Sequence, residues 1–176
     1  MKQALSEIMV IEKGDIVSDW NVDAIVNSST KTLLGGGGIC SKIFAAAGRG
    51  MNQQCLLYTG CEEGDCRITG GYKLPCKNVF HAVPTEYKNS KSIKVLESCY
   101  KSVMNLARRM EVHSIAFPAL GTGSYRYPKE AAAKTALTTV MECIKANPDW
   151  FTRIVFVCYD DEMKMIYDKL AKKIIR

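Results

Sequence analysis

The chain has 176 residues, of which 47% are hydrophobic and 24% charged, and its net charge is +6. That length suits a single domain spanning 1–176, large enough to bury a core without disulfide or metal staples, and the composition is that of a globular protein rather than a disordered or fibrous one. No apolar run approaches membrane-spanning length, so a membrane partner is not expected.

Ile8 to Ile11 opens the chain as an apolar strand that leads into Gly14-Asp15-Ile16. Val22 to Asn27 reads as a buried strand, being short, β-branched and bounded by turn formers. Gly37 to Tyr58 is helical in part, with Ile39, Ile43, Ala46 and Ala47 on one face. Gly48-Arg49-Gly50 breaks that segment, and a second helix carrying Cys55 and Leu56 follows. Strands are predicted over Ile68 to Leu74, interrupted by Gly70-Gly71, and over Asn78 to Val83. Ile93 to Met110 is the clearest amphipathic helix, with Leu96, Tyr100, Val103, Met104 and Ala107 at helical spacing. A strand from Ser114 to Leu120 precedes a helix starting near Pro128 and ending at Asn147-Pro148. Arg153 to Tyr159 is a strand, and Asp160-Asp161 cap a last helix that ends near Ile175. Strands alternating with helices imply right-handed crossovers and a mainly parallel or mixed sheet between helical layers.

Two glycine-rich loops stand out. Gly35-Gly36-Gly37-Gly38 follows the second strand, and Gly121-Thr122-Gly123-Ser124-Tyr125 follows the Ser114 to Leu120 strand. Glycine lets backbone N–H groups approach an anion closely, and each loop feeds a helix whose N-terminus adds donors and positive dipole. In such sheets ligands bind beyond the carboxyl ends of the strands. A diphosphate gripped from both sides fits this pair of loops. The alternatives are plain connectors for the loops and an ordinary turn residue for Asp15.

The eight cysteines include no CxxC pair and no zinc spacing with the two histidines. They read as small apolar core residues, so no metal and no cofactor are expected, and a reducing intracellular compartment, cytoplasmic or nuclear, is. His81, beside Phe80 and Val83, reads as a core histidine rather than a catalyst. The basic residues are scattered, which makes nucleic acid the lesser partner reading.

Several motifs, in order along almost the whole chain, resemble the macrodomain family. They include Gly14-Asp15-Ile16, Val22-Asp23-Ala24-Ile25-Val26-Asn27, Leu33-Leu34 with the four glycines, and Ala46-Ala47-Gly48. Ile68-Thr69-Gly70-Gly71-Tyr72-Lys73-Leu74-Pro75, Val79-Phe80-His81, Ala116-Phe117-Pro118, Gly121-Thr122-Gly123 and Tyr127-Pro128 extend the match. The likeness is greatest to the MacroD-type mono-ADP-ribosylhydrolase branch. The resemblance implies a three-layer α/β/α fold with a mixed, mainly parallel central sheet and a cleft for ADP-ribose or ADP-ribosylated protein. It gives Asp15, with Ile16, the adenine end, and Tyr159 a place beside that base. It gives Gly36, Gly37, Gly38 and Ile39 the distal ribose and one phosphate, and Gly121, Thr122, Gly123 and Ser124 the diphosphate. Asn27 completes the implied ligand set, with Tyr125 against the distal ribose.

The departures from the family pattern fall at the reacting end. The usual Asn-Ala-Ala-Asn reads Asn27-Ser28-Ser29-Thr30, and the aspartate and histidine of the hydrolase branch are replaced by Cys40 and Phe44. A neutral thiol is a poor base for water, so Thr30 and Cys40 are left as candidate catalytic positions without a carboxylate. The expectation is a reader of ADP-ribose, with nucleic acid or poly(ADP-ribose) the lesser partner. The alternative is a hydrolase of ADP-ribose esters in which the ligand's own phosphate orients the water.

Overall fold

The computed structural model describes residues 3–175. Its elements are α1 (Leu5–Ile8), β1 (Met9–Lys13), β2 (Ala24–Ser28), α2 (Ile39–Ala47), α3 (Arg49–Leu57), β3 (Cys66–Gly70), β4 (Asn78–Ala82), α4 (Ser90–Arg109), β5 (Ser114–Pro118), α5 (Lys129–Ala146), β6 (Arg153–Cys158) and α6 (Asp161–Ile174). The six strands form one sheet in the order β1-β6-β5-β2-β4-β3, antiparallel between β3 and β4 and parallel elsewhere. It is the mixed, mainly parallel sheet that the alternation of elements implies.

Side-chain alternation along the strands sorts the core into two layers. Ile115, Phe117, Ile154 and Phe156 enter one layer with the buried faces of α4, α5 and α6. Ile25, Ala116, Val155 and Val157 enter the other with α2 and α3. The central strands are apolar on both faces because both are covered. Phe117 sits at the middle of the thicker layer, with ring centroids 5.2 Å from Tyr100 and 6.0 Å from Phe156.

Element boundaries shift from the sequence expectation where local hydrogen bonds outrank apolar periodicity. Leu5–Ile8 forms one helical turn, so β1 begins at Met9. The strand expected over Ile68 to Leu74 instead runs Cys66–Gly70. It stops because Gly71 N–H turns back to the Lys77 carbonyl at 2.8 Å and Tyr72 takes φ +52°, closing a hairpin onto β4. Helix α4 begins at Ser90 rather than Ile93, because the Asn89 side chain accepts from Lys91 N–H at 2.9 Å and so supplies the cap ahead of the apolar stripe.

Because β1, β6, β5 and β2 are consecutive and parallel, their carboxyl ends share one edge of the sheet. The segments that follow them, starting at Gly14, Tyr159, Ala119 and Ser29, therefore stand side by side.

One polar row crosses the sheet beneath that edge. Asn27 and His81 are register partners on β2 and β4, and both are completely buried. The Asn27 Nδ2 group donates to His81 Nδ1 at 3.0 Å, which leaves the proton on Nε2, 2.9 Å from Thr69 Oγ1. Thr69 in turn donates to the Gly70 carbonyl at 3.0 Å. Burial lowers the His81 pKa from 6.5 to about 4, and protonation would set a second N–H against the Asn27 donor. The unfolded chain takes up this proton first as pH falls, so stability is full above pH ~6.5 and is lost towards pH ~4, by roughly 3 kcal/mol at pH ~4. Urea unfolding across that window should show a steeper loss for the wild type than for His81→Gln. Parallel stability curves for the two proteins would rule this out.

Candidate functional site

The two glycine loops meet over the carboxyl edge of the sheet. They enclose a cleft of about 370 Å³ lined by residues 36–40 and 118–125, with Ser28, Thr30, Lys42 and Tyr159. A second hollow of about 210 Å³ continues it past Ile39, Lys42, Pro118 and Tyr159, which border both, to Gly14, Asp15 and Ile16. The cleft is within the usual size range for small-molecule sites.

In the first loop, Gly35 and Gly38 adopt φ of +102° and +60°, a region that side chains other than glycine rarely enter. Gly36 and Gly37 do not need that freedom: a Cβ would be in ordinary contact at Gly36 and would meet nothing within 4 Å at Gly37. Their lack of side chain keeps the cleft open. The loop is braced by the Ser41 hydroxyl, which donates to the Gly36 carbonyl at 2.6 Å, and it runs directly into α2.

The second loop is held from both ends. Tyr127 N–H donates to the Gly121 carbonyl at 2.9 Å, and the Tyr127 hydroxyl donates to the Ser92 carbonyl at 2.8 Å inside the core. Tyr125 donates to the Ser29 carbonyl at 2.7 Å, which ties the second loop to the end of β2 beside the first. Among the described residues, the N–H groups of Gly37, Gly38, Gly123 and Ser124 donate to no protein acceptor, whereas that of Gly36 is directed at the Cys40 sulfur. Unbonded amides in two facing loops, one of them at a helix N-terminus, make a nest for an anion.

At the base of β1, Asp15 is oriented by its own turn. Its Oδ1 accepts from Val17 N–H at 3.2 Å, and its carbonyl accepts from Trp20 Nε1 at 2.9 Å. Its Oδ2 accepts from Lys42 Nζ at 2.9 Å. The hydrogen bond from that ammonium, opposed by partial burial, holds the Asp15 carboxyl below its ordinary range.

The floor of the cleft is Cys40, only 2% exposed. Its sulfur accepts from Asn27 Nδ2 at 3.3 Å, and burial pushes the thiol above its ordinary pKa despite that hydrogen bond. Cys40 is a neutral thiol. No Asp, Glu or His is among the described residues that line the larger cleft.

The predicted residues thus gather at one place with two qualifications. Gly36 to Ile39, Gly121 to Tyr125, Thr30, Cys40 and Tyr159 all line the larger cleft, whereas Asp15 and Ile16 line the hollow beyond it. Asn27 borders neither; it lies buried behind Cys40, where its amide connects that thiol to His81. Five residues outside the predicted site also line the cleft: Pro118, Ala119 and Leu120 where β5 ends, with Ser28 and Lys42. Ser28 is two positions from Thr30, the strand spacing for a shared face, and Lys42 is three positions from Ile39 on α2, the helical equivalent. All eight cysteines are unpaired, and among the described residues no group of three or more His, Cys, Asp or Glu is placed to hold a metal ion. Nor is any described helix long and apolar enough to cross a membrane.

Comparison with known proteins agrees with this geometry. The sequence profile of the Macro domain matches residues 26–136. A Macro domain-containing protein of Mesorhizobium japonicum is 41% identical over 171 residues, covering 95% of this chain and 94% of that protein. The ADP-ribose glycohydrolase MACROD2 of Xenopus laevis is 40% identical over 172 residues, which are 96% of this chain but 41% of the longer relative. A Trypanosoma brucei macrodomain solved in complex with ADP-ribose superposes with a TM-score of 0.87 at 31% identity, over 92% of this chain and 68% of that one. With its layered sheet, its paired glycine loops and these relatives, the chain belongs to the macro domain family.

Proposed function

We propose that this macrodomain binds ADP-ribose, free or attached to protein, and acts as a reader of the modification. One observation carries the reading: two loops with unbonded amides face each other across a cleft whose outer glycines leave space that folding does not require. In this reading the diphosphate lies between residues 36–39 and 121–124. The adenine extends into the hollow at Asp15 and Ile16, with Tyr159 beside it. The distal ribose rests against Tyr125, above Thr30 and Cys40. Asn27 supports that end from behind instead of touching the ligand. The unpaired thiols suit a reducing compartment inside the cell, cytoplasmic or nuclear.

The reader assignment follows from what the cleft offers a water molecule. General-base catalysis needs a proton acceptor near its working pH within hydrogen-bond reach. The lining supplies hydroxyls and a buried neutral thiol, and no carboxylate or imidazole. A hydrolase reading is supported by the likeness to MACROD2; it would depend on the ligand's own phosphate to orient water, with the protein supplying geometry alone.

Isothermal titration with ADP-ribose should give saturable heat, and none at millimolar ligand with folded protein would overturn the proposal. Gly37→Ala should weaken that binding about tenfold or more (~1.4 kcal/mol) while the melting temperature stays unchanged, because the added methyl projects into the cleft and not into the fold. Labelled ADP-ribose on the acidic side chains of an automodified ADP-ribosyltransferase tests the chemistry. The wild type should release label no faster than buffer, and Cys40→Asp combined with Thr30→Asn should release more. Release by the wild type above the buffer rate would establish the hydrolase reading in its place.

A further inference from the structure

We propose that Lys42 is a specificity-determining latch: it neutralises Asp15 in the free protein and passes to the diphosphate when an adenine amino group takes its place on the carboxylate. This rests on the ADP-ribose reading above and adds a residue that neither the resemblance nor the comparisons assign.

Lys42 is the one charged residue among the described residues lining the larger cleft. Asp15 and Lys42 are likewise the only charged residues lining the hollow at the base end. The ligand-free trough therefore has one positive and one negative group, paired at 2.9 Å. Both oxygens of Asp15 are engaged, Oδ1 by Val17 N–H and Oδ2 by the Lys42 ammonium. An incoming amino group must share an oxygen that already accepts a hydrogen bond or displace the ammonium from Oδ2.

Displacement is the better outcome on three counts. The pair is open to solvent, with the lysine side chain 62% exposed and the aspartate 39%, and exposed ion pairs are weak. The amino group restores a charge-assisted hydrogen bond to the carboxylate it uncovers. A diphosphate brings two negative charges to a cleft with no other cation, where the released ammonium is already on the wall. Lys42 sits in the first turn of α2, three residues from Ile39, so its four-carbon stem serves both ends of the trough from one backbone position.

The exchange makes base and phosphate interdependent. A ligand with an adenine amine and no phosphate replaces the ammonium on Asp15 but leaves Lys42 without a new partner. One with both supplies it. Lys42→Met separates the two effects, and as a change at an exposed site it leaves the core intact. Against wild type, the variant should bind adenosine about two- to fivefold more tightly, in titrations followed by protein NMR, because its Asp15 is already free. It should bind ADP-ribose about two- to fivefold more weakly in calorimetry, with a flatter dependence on ionic strength. Affinities that move in the same direction for both ligands, affinities that do not move, or no adenosine binding by the variant would each overturn the latch. If the wild type binds ADP-ribose, the reading of the cleft survives any of those results; if it does not, both fall.

Discussion

The parallel pairing of β1, β6, β5 and β2 is the constraint on which the cleft depends. Residues from Asp15 to Tyr159 become neighbours only because four consecutive strands end on the same edge. The helical connections from β2 to β4, β4 to β5 and β5 to β6 return the chain to that orientation and cover the two faces of the sheet. The cost of burying the sheet on both sides is met by strands such as Ser114–Pro118, in which every residue is buried and all but Ser114 are apolar. A rigid platform follows, and the loops inherit their positions from it.

Each loop is then fixed by a small number of polar ties. Tyr127 is the deepest of these: its ring approaches Gly121 so closely that a Cβ there would lie 2.6 Å from it, while its hydroxyl is bonded to α4. Gly121 is needed for the fold on two grounds, that contact and a φ of +83°. Gly37 and Gly123 are needed on neither, since a side chain at either would meet open space. The glycines of these loops therefore divide by physical demand. Some shape the backbone, and others preserve access to its amides.

Much of this was legible in the sequence because it is written in local signals. Hydrophobic period distinguishes the Ser114 strand from the α4 helix, and glycine runs after apolar strands mark both loops. The strand β3 was placed two residues late because its first residues, Cys66 and Arg67, lie at a sheet edge and lack an apolar alternation. Asn27 ends the strand expected over Val22 to Asn27 and belongs to the ligand set the resemblance implies; in the fold β2 continues to Ser28, and register sets the Asn27 amide against His81. The strand period decides between such positions, but only once the pairing partner is known: Ser28 and Thr30 face the cleft, while Asn27 and Ser29 are buried. The Asp15–Lys42 contact has no local signal at all. It joins residues 27 positions apart, and arises from the direction in which α2 leaves its glycine loop.

The distribution of charge gives the cleft its character. Its distal end is built from hydroxyls and a thiol that burial keeps protonated, over an amide whose second hydrogen is committed to an uncharged histidine. Charging either titratable group, by taking the proton from Cys40 or adding one to His81, would leave an unpaired charge among buried groups, which is costly. In the proposed reading this end holds the distal sugar without activating water. At the opposite end the two charged groups are exposed and paired, so they can exchange partners at little expense. In the proposed reading the ligand meets, among the described residues, an exchangeable ion pair at the base end and a neutral surface at the sugar end. Selectivity then belongs to the first and positioning to the second.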